Sequence, residues 1–390
     1  MIFYFVGLIS CAKYAILYAG SNTWINYRHQ ADIFTIYNQL LARGFSTSEI
    51  CLFAYDDIAN DYQNPYKGQV FHATDHKVNV YPGSSAITVR GKKVTDEAFY
   101  NAISKLPTTS DDYVFIYYDN HGGPGILGTP TDKEITAEKL SESLNTAASS
   151  NLYKQCLFII EACYSGSIAE VFTAPRLFTI TAANNKESSY VAVYDEELGT
   201  YLSDEFTNYF IALIDEQPDI LVGDLYMTLK QKAALSHVCS YGDESMKSVP
   251  LSTFIGKPSK IIHHNINSAN LQLVTPREAT EKTLTFLSQH EKAFIRSRAR
   301  LQLLQNKAQT EKLNAVLEML VQYVDPKNYD TIMNDTDSKI TPTYFQILRI
   351  FIQKFGKVNP DDYGRFNVLK ALAASHTKAE IVQGIFAVLI

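Results

Sequence analysis

The sequence lacks the features that mark several large classes of protein. None of its apolar runs reaches the roughly 18 residues that a membrane-spanning helix requires. Positive charge is in the minority, with 35 Lys and Arg against 41 Asp and Glu. The resulting net charge of −6 is unfavourable for general binding to nucleic acid or to an anionic membrane. We therefore expect no nucleic-acid partner and no membrane span.

Cysteine is also scarce. The five cysteines show neither the close spacing of a metal site nor the framework of a small disulfide-stabilised domain, so we predict no metal and no cofactor. Cys51 and Cys156 lie within apolar, strand-like runs, where a cysteine usually serves as a small core residue. The remaining composition, 46% hydrophobic and 19% charged, is that of an ordinary globular protein.

The N-terminal segment MIFYFVGLIS is apolar and is followed by small residues, which is the arrangement of a short secretory signal peptide. The alternative is a first buried strand, which the absence of a positively charged start favours. We predict a signal peptide over residues 1–12, because the next segment, KYAILYAG, is already a complete strand. A signal peptide would direct the protein to a lysosome or vacuole, or out of the cell.

What the sequence does contain is a series of short, continuous apolar runs: KYAILYAG, ICLFAYD, DYVFIYYDNHG, CLFIIEAC and LFTITAA. Continuous runs are typical of strands that are covered on both faces, as in a parallel sheet. Helical patterns lie between them, including HQADIFTIYNQLLARGF, EAFYNAI and YLSDEFTNYFIALID. We predict an α/β fold with an open, mostly parallel sheet and helices on both faces.

The chain changes character near residue 257. A polar, weakly patterned stretch is followed by segments with helical periodicity only, which predicts an all-helical C-terminal domain. Residues 264–390 hold 16 Lys and Arg against 12 Asp and Glu, whereas residues 1–263 hold 19 against 29. We expect the two domains to dock electrostatically, with a contact that weakens as carboxylates protonate.

Two of the strand-like runs end at a reactive side chain, His121 and Cys163. Ligands bind beyond the carboxyl ends of parallel strands, so neighbouring strands would bring both side chains to one edge of the sheet. A cysteine is an effective nucleophile only as the thiolate, which a nearby imidazole can generate. Either residue alone more often has a structural role. The backbone N–H groups of Gly122 and Cys163 are candidates for an oxyanion hole.

Six stretches in the same order resemble the legumain family of asparaginyl endopeptidases, which are caspase-like cysteine peptidases. They are AGSNTWINYRHQAD, YDDIA, VFIYYDNHG, IEACYSGS, TAANNKESSY and YDEELGTYLSD. The helical C-terminus resembles the prodomain of that family in position and helicity. The resemblance implies a caspase-like peptidase domain over 13–256, an activation linker over 257–287 and a helical prodomain over 288–390.

The resemblance also implies roles for individual residues. Cys163 corresponds to the nucleophile, His121 to the general base and acid, and Asn26 to the residue that orients the histidine, with Gly122 beside them. The pocket for the residue before the cleaved bond falls on a charged and hydroxylated set: Arg28, His29, Glu161, Ser188, Ser189 and Asp204.

Such a pocket suits an asparagine side chain. Arg28 can donate to the carbonyl oxygen of the asparagine, while Asp204 and Glu161 can accept from its NH₂ group. Without the resemblance, an ordinary ion pair between Arg28 and Asp204 is the simpler interpretation. With it, we expect a cysteine endopeptidase that acts on peptides or proteins. It would cleave after Asn, or after Asp at low pH, through a thioester, and transpeptidate when an amine replaces water.

The family prodomain implies a zymogen in which the helical domain caps the site. Asn265, Asn267 and Asn270 in the linker are the candidate autocleavage positions. Two departures from the family pattern are Asn120, where Asp is common, and Tyr164, where an acidic residue is common. The alternatives are a glycosylphosphatidylinositol transamidase subunit, which would be expected to carry a membrane span, a pseudopeptidase that acts as a binding scaffold, or a helical domain that binds a partner.

Overall fold

The structure is a computed structural model that describes residues 12–131, 133–233, 235–258 and 271–389. Apart from Ala12, the predicted signal peptide lies outside these residues, as do the candidate cleavage positions Asn265, Asn267 and Asn270. Across the described ranges, a search for helices of the length and hydrophobicity that a bilayer span needs finds none.

A central sheet organises the N-terminal domain. The strands are β1 (Lys13–Ala19), β2 (Ile50–Ala54), β3 (Val89–Arg90), β4 (Tyr113–Asp119), β5 (Gly122–Gly123), β6 (Ile126–Leu127), β7 (Ile135–Thr136), β8 (Gln155–Glu161), β9 (Leu177–Thr181), β10 (Val191–Asp195), β11 (Thr200–Asp204) and β12 (Cys239–Gly242). Within the described residues, seven of them form one sheet in the order β12-β9-β8-β4-β1-β2-β3. Only β12 runs antiparallel to its neighbour.

The predicted strands are all present. The five apolar runs form β1, β2, β4, β8 and β9, and the continuous burial of β4 and β8 shows that both faces of the sheet are covered. Two smaller antiparallel sheets, β5-β6-β7 and β10-β11, extend from the carboxyl edge of the large one. The predicted α/β class, with an open and mostly parallel sheet, is confirmed.

Thirteen α-helices are described. They are α1 (Tyr27–Ala42), α2 (Asp96–Ser104), α3 (Ala137–Ser149), α4 (Gly166–Ala169), α5 (Glu205–Glu216), α6 (Val222–Lys232), α7 (Ser252–Ile255), α8 (Pro276–Leu287), α9 (Ala293–Val324), α10 (Tyr329–Met333), α11 (Pro342–Phe355), α12 (Asn367–Ser375) and α13 (Lys378–Val388). One predicted boundary is wrong. The segment YLSDEFTNYFIALID starts as strand β11, because Tyr201 and Ser203 pair with β10, and helix α5 begins only at Glu205.

Helices cover both faces of the sheet, as predicted. On one face a hydrophobic cluster joins the sheet to α1, α5 and α6, through residues such as Ile33, Phe206 and Leu225. On the other face a second cluster joins it to α2 and α3, through Phe99 and Leu140. Since each cluster is fully enclosed, the sheet has a core on either side.

The range predicted as a linker contains a helix. Thr275 caps α8 in a reciprocal arrangement with Glu278, and Pro276 occupies the first turn, where its missing N–H costs nothing. The helix then packs on the N-terminal domain, with the Phe286 ring covering Gly199 so closely that a Cβ there would lie 2.0 Å from the ring. The second half of the predicted linker is therefore ordered structure.

The contact between the two domains is mainly apolar. The helical domain shares one continuous hydrophobic cluster with the sheet, to which Tyr344 and Leu369 contribute from its side. Among the ion pairs that the structure describes across the contact, Arg349 with Glu138 at 3.4 Å has the polarity expected from the net charges. Lys186 with Asp337 has the reverse polarity, because here the N-terminal domain supplies the cation. Electrostatic docking of the two domains therefore stays a prediction.

Candidate active site

The two reactive residues leave neighbouring strands in register. In the parallel pair of β4 and β8, Asp119 lies opposite Glu161, and the Asn120 N–H donates to the Glu161 carbonyl oxygen at 3.1 Å. His121 and Cys163 each follow two residues after this matched pair. They consequently line the same cavity, of about 230 Å³, at the carboxyl edge of the sheet.

His121 is held from one side. Its Nε2 donates to Asn26 Oδ1 at 2.8 Å, and Asn26 is in turn fixed by its Nδ2, which donates to the Asn22 carbonyl oxygen at 3.1 Å. Nδ1 of the neutral ring is then the nitrogen left to accept a proton. Burial, together with the charge of Arg28, holds the pKa of His121 well below its usual value. A neutral imidazole of this kind is suited to act as a base.

Cys163 lies at a sharp bend. The next residue, Tyr164, has a φ of +56°, a left-handed conformation that is uncommon for a bulky side chain and is typical of functional sites. The thiol contacts the Ser189 hydroxyl at 3.8 Å. Burial raises the pKa of the Cys163 thiol, which hydrogen bonds from Ser188 and Ser189 oppose only in part. Burial thus favours the thiol over the thiolate in this arrangement.

Gly122 is required by the close approach of the two loops. A Cβ on Gly122 would lie 2.3 Å from the carbonyl oxygen of Cys163 and 3.0 Å from Ala162 Cβ. Because a backbone oxygen cannot yield as a flexible side chain can, any larger residue would push the His121 loop away from the Cys163 loop.

The predicted pocket residues also converge. Helix α1 supplies Arg28 and His29 from its first turn, and β11 supplies Asp204 from its last position. Arg28 Nε donates to Asp204 Oδ1 at 2.8 Å, and His29 Nε2 lies 3.5 Å from the other oxygen of that carboxyl. The Nδ1 of His29 is tied to the Ser21 hydroxyl at 2.7 Å. All of these side chains are buried.

The pocket concentrates acidic groups around one guanidinium. Burial and neighbouring carboxylates raise the pKa values of Asp119 and Glu161 well above their usual range, and that of Asp204 to about 7. Arg28 Nη1 and both Glu161 oxygens have no partner at hydrogen-bond distance among the described residues. The pocket thus holds an unused donor and unused acceptors, which a dipolar guest could satisfy.

A metal is not needed to balance these charges. His29, Asp119 and Asp204 each bring one ligand-type atom within 4.8 Å of the others. However, the guanidinium of Arg28 already provides a cation beside Asp204. The cluster can therefore accommodate a polar side chain beside the guanidinium without a metal ion.

The helical domain covers this site with residues that the sequence did not single out. Asp361 Oδ1 lies 3.5 Å from His121 Nδ1, and Pro276, Arg277 and Pro360 line the same cavity as Cys163. Burial raises the pKa of Asp361, with Thr280 and nearby arginines opposing it. Asp361 belongs to the stretch NPDDYG, whose Pro, Asp and Gly are typical of any surface turn, so no sequence signal marked it.

Aromatic side chains interlock across the covered site. A Cβ on Gly123 would lie 2.6 Å from Tyr363 Cβ, and a Cβ on Gly364 would lie 2.5 Å from the Tyr164 hydroxyl. Tyr363 also donates to Glu134 Oε1 at 3.2 Å. The turn at 360–366 is thus closely fitted to the loops that carry His121 and Cys163.

Comparison with known proteins gives matches over the N-terminal domain. A family model described as the Peptidase C13 family matches residues 13–257. The chain is 35% identical to a hemoglobinase of Schistosoma japonicum, over 64% of this chain and 61% of that protein. It is 34% identical to a legumain of Mus musculus (62% and 59%) and 27% identical to a GPI-anchor transamidase of Saccharomyces cerevisiae (68% and 66%). The chain spans about three fifths of the length of the first curated relatives that it matches.

The raised pKa of Asp204 predicts a specific pH dependence of stability. Its pKa is about 7 in the folded protein and 3.8 when unperturbed, so the folded state binds the proton more tightly. The contribution of Asp204 to the free energy of unfolding is therefore largest in acid and falls as pH rises from about 4 to 7. In a Cys163→Ser background, we expect Asp204→Asn to remove a gain on the order of 2 kcal/mol between pH 7 and pH 5. Urea unfolding at both pH values measures it, and an unchanged pH slope would contradict it.

Proposed function

The chain belongs to the Peptidase C13 family, and on that basis we propose that it is a legumain-like cysteine endopeptidase that cleaves peptide bonds after asparagine. One observation carries the proposal. His121 and Cys163 leave adjacent parallel strands in equal register and line a single cavity, with Asn26 bound to the histidine.

The proposed reaction is acyl transfer through a thioester. Nδ1 of His121 takes the proton of the Cys163 thiol, because Nε2 is occupied by Asn26. The sulfur attacks the carbonyl carbon of the substrate, and the N–H groups of Gly122 and Cys163 stabilise the oxyanion. His121 then protonates the leaving amine, and the C–N bond breaks. Water, activated by the same nitrogen, hydrolyses the thioester, and a second peptide amine in its place would give transpeptidation.

The pocket supports a preference for asparagine. The free Nη1 of Arg28 would donate to the side-chain carbonyl, and the open carboxyl oxygens of Glu161 would accept from the NH₂ group. An apolar side chain would leave these buried groups unpaired, which costs several kcal/mol in total, by an order-of-magnitude estimate. Aspartate would enter when its own carboxyl is protonated, that is, at low pH.

A peptide library tests this specificity. Processed protein should cleave after Asn over the whole active pH range and after Asp only in acid. Cys163→Ser should abolish cleavage, since serine is a far weaker nucleophile without a comparably acidic proton. Cys239→Ser is the matched control, because Cys239 lies on the edge strand β12 and should leave the rate unchanged. Cleavage after other residues would contradict the pocket assignment but not the thiol mechanism.

The same assay separates the alternatives. A transamidase-like enzyme would transfer the acyl group to an added amine with little hydrolysis. The similarity to a GPI-anchor transamidase is the reason for testing this alternative. A pseudopeptidase would show neither reaction. His121 and Cys163 line one cavity and Asn26 is hydrogen-bonded to His121, which favours an active peptidase over a binding scaffold.

Gly122→Ala should inactivate the enzyme without unfolding it. The added Cβ meets the Cys163 carbonyl oxygen, so the imidazole and the thiol separate. A misplacement of about 1 Å can cost about a hundredfold in rate, and we expect kcat/KM on an Asn peptide to fall by at least that factor. Gly223→Ala, in helix α6 of the same domain, is the control, because its Cβ would lie 3.0 Å from its nearest atoms, Lys247 Cβ and the Lys247 carbonyl oxygen, and needs only a small adjustment. Equal kcat/KM in the two variants would contradict this account.

We assign the helical domain the role of a cap in a zymogen. Asp361 lies against the very nitrogen of His121 that must accept the thiol proton. Pro276, Arg277 and Pro360 occupy the wall of the cavity where a substrate would pass. The domain would therefore block substrate binding and proton transfer together. Binding of a separate partner would not require the Asp361 carboxyl to lie against His121, whereas inhibition of the site would.

The carboxyl groups at the contact respond to acid in opposite directions. Lys186 holds the pKa of Asp337 below its usual value, so this pair stabilises docking at neutral pH and is lost as pH falls through that pKa. Burial raises the pKa values of Asp361 and Glu170, so these groups favour the docked state on acidification. Because the pKa of Asp337 lies below its usual 3.8, this pair persists at about pH 4.5, and release there depends on cleavage of the chain.

Acid processing gives a direct test of the cap. At about pH 4.5 the full-length protein should cut itself in the linker, at Asn265, Asn267 or Asn270, and gain activity, whereas Cys163→Ser should stay intact. Asp337→Asn should be processed a few-fold faster at intermediate pH, because it lacks the Lys186 pair. Asp330→Asn, a matched surface change in helix α10, should be processed at the wild-type rate. Identical behaviour of wild type and Cys163→Ser would rule out autocleavage.

An acidic compartment fits this activation. We place the protein in a lysosome or vacuole, or outside the cell, after removal of the N-terminal signal peptide. The matched relatives include one named for vacuolar processing, the delta-isozyme of Arabidopsis thaliana, which is 32% identical over 63% of this chain.

A further inference from the structure

One buried histidine has no part in the mechanism. His72 is 2% exposed and lies in the long segment between β2 and β3, which contains no regular strand or helix near it. An isolated bridge between Phe71 and Asn79 is its closest ordered feature. Nε2 of His72 donates to Asp32 Oδ1 at 2.7 Å. A buried and short hydrogen bond between two polar side chains indicates a structural or functional role for both of them.

The partner of His72 leads directly to the specificity pocket. Asp32 lies on helix α1, one turn after Arg28, and is fully buried. Its second oxygen, Oδ2, accepts the backbone N–H of Asp204 at 2.9 Å. Asp204 Oδ1 then accepts from Arg28 Nε at 2.8 Å. A continuous chain of hydrogen bonds therefore runs from His72 through Asp32 and Asp204 to the guanidinium.

We infer that His72 is a positioning residue for the asparagine pocket, which acts through Asp32 on Asp204. The inference rests on the proposed function and names a determinant of that pocket. With both oxygens engaged, Asp32 has one orientation, and that orientation fixes the last residue of β11. Loss of the His72 donor would leave a buried carboxyl oxygen unpaired, so the carboxyl would rotate or take up a proton. Either change alters the position of Asp204, and with it the guanidinium of Arg28.

The segment that carries His72 is attached to α1 at other points. The Phe71 N–H donates to the Tyr27 hydroxyl at 2.6 Å, and Asn38 Nδ2 donates to the Val80 carbonyl oxygen at 2.8 Å. A substitution at His72 should therefore leave the segment in place and act on the chain of hydrogen bonds. This separation allows a positioning role to be distinguished from a general role in folding.

The same segment contains a matched control. His76 donates through Nε2 to the Asp195 carboxyl at 2.7 Å, the same distance as for His72 and Asp32. Asp195, however, lies on β10 opposite Thr200, at the other end of the hairpin from Asp204. His76→Leu thus removes a comparable histidine–carboxylate contact outside the pocket, and the strain that leucine adds at the φ of +50° makes it a stringent control for general destabilisation.

The experiment compares steady-state kinetics on an Asn peptide, with active sites counted by alkylation of Cys163. His72→Leu should raise KM by at least about tenfold while kcat per active site changes little, because binding of the side chain is weakened rather than the chemistry. Iodoacetamide, which makes no use of the pocket, should alkylate Cys163 at the wild-type rate. His72→Gln should restore KM to within about threefold, since its amide N–H can replace the imidazole donor. His76→Leu should keep a wild-type KM.

The outcomes separate the inference from the proposed function. A wild-type protein that does not cleave Asn peptides would overturn the proposed function. A wild-type protein that cleaves them, with the same KM in His72→Leu and His76→Leu, would overturn only the role of His72. If the leucine variant does not fold, His72→Gln is compared with His72→Asn instead. The glutamine amide can reach Asp32, whereas the asparagine amide is one methylene too short, so only the asparagine variant should have a raised KM. Equal KM in that pair would also reject the inference.

Discussion

The parallel pairing of β4 with β8 is the constraint on which the site depends. Main-chain hydrogen bonds fix Asp119 opposite Glu161, where both strands end, and the reactive side chain lies two residues further along each segment. A shift of one residue in this register would move every side chain of one strand to the other face of the sheet. The loops that follow the two strands would then no longer bring the imidazole and the thiol to the same cavity. Their proximity is thus a property of the hydrophobic core, which holds the register.

Helix α1 is the second organising element, because it places several charged and polar side chains at defined positions in the protein interior. Its first turn directs Arg28 and His29 to the end of β11, and its second turn places Asp32 beneath them. Buried charges are unfavourable unless each is paired, and here a single guanidinium serves several carboxyl groups. Burial and the neighbouring carboxylates raise the pKa values of Asp119 and Glu161, which disfavours their charged forms. The pKa values of these acids would therefore change when a polar side chain entered the cluster and formed hydrogen bonds with them.

Much of the fold and part of the site could be predicted from the sequence. The apolar runs identified the strands because continuous burial leaves a simple pattern, and the resemblance brought in residues that lie far apart along the chain. Helix α8 was missed because its surface is polar, although Thr275, Pro276 and Glu278 formed a recognisable helix start. Asp361 and His72 could not be predicted. Both lie in segments of ordinary loop composition, and their importance comes from partners that are distant in sequence.

The shared hydrophobic cluster has a consequence for maturation. Residues such as Leu369 and Tyr344 are buried in a core that also contains side chains of the central sheet. Hydrolysis of one peptide bond in the linker removes a covalent connection but none of this apolar burial. Chain scission and dissociation are therefore distinct events, and a nicked, two-chain complex would persist between them. Once the fragments dissociate, the apolar surface that the helical domain had covered would be exposed and prone to self-association. A long peptide or protein substrate that bound there would cover it.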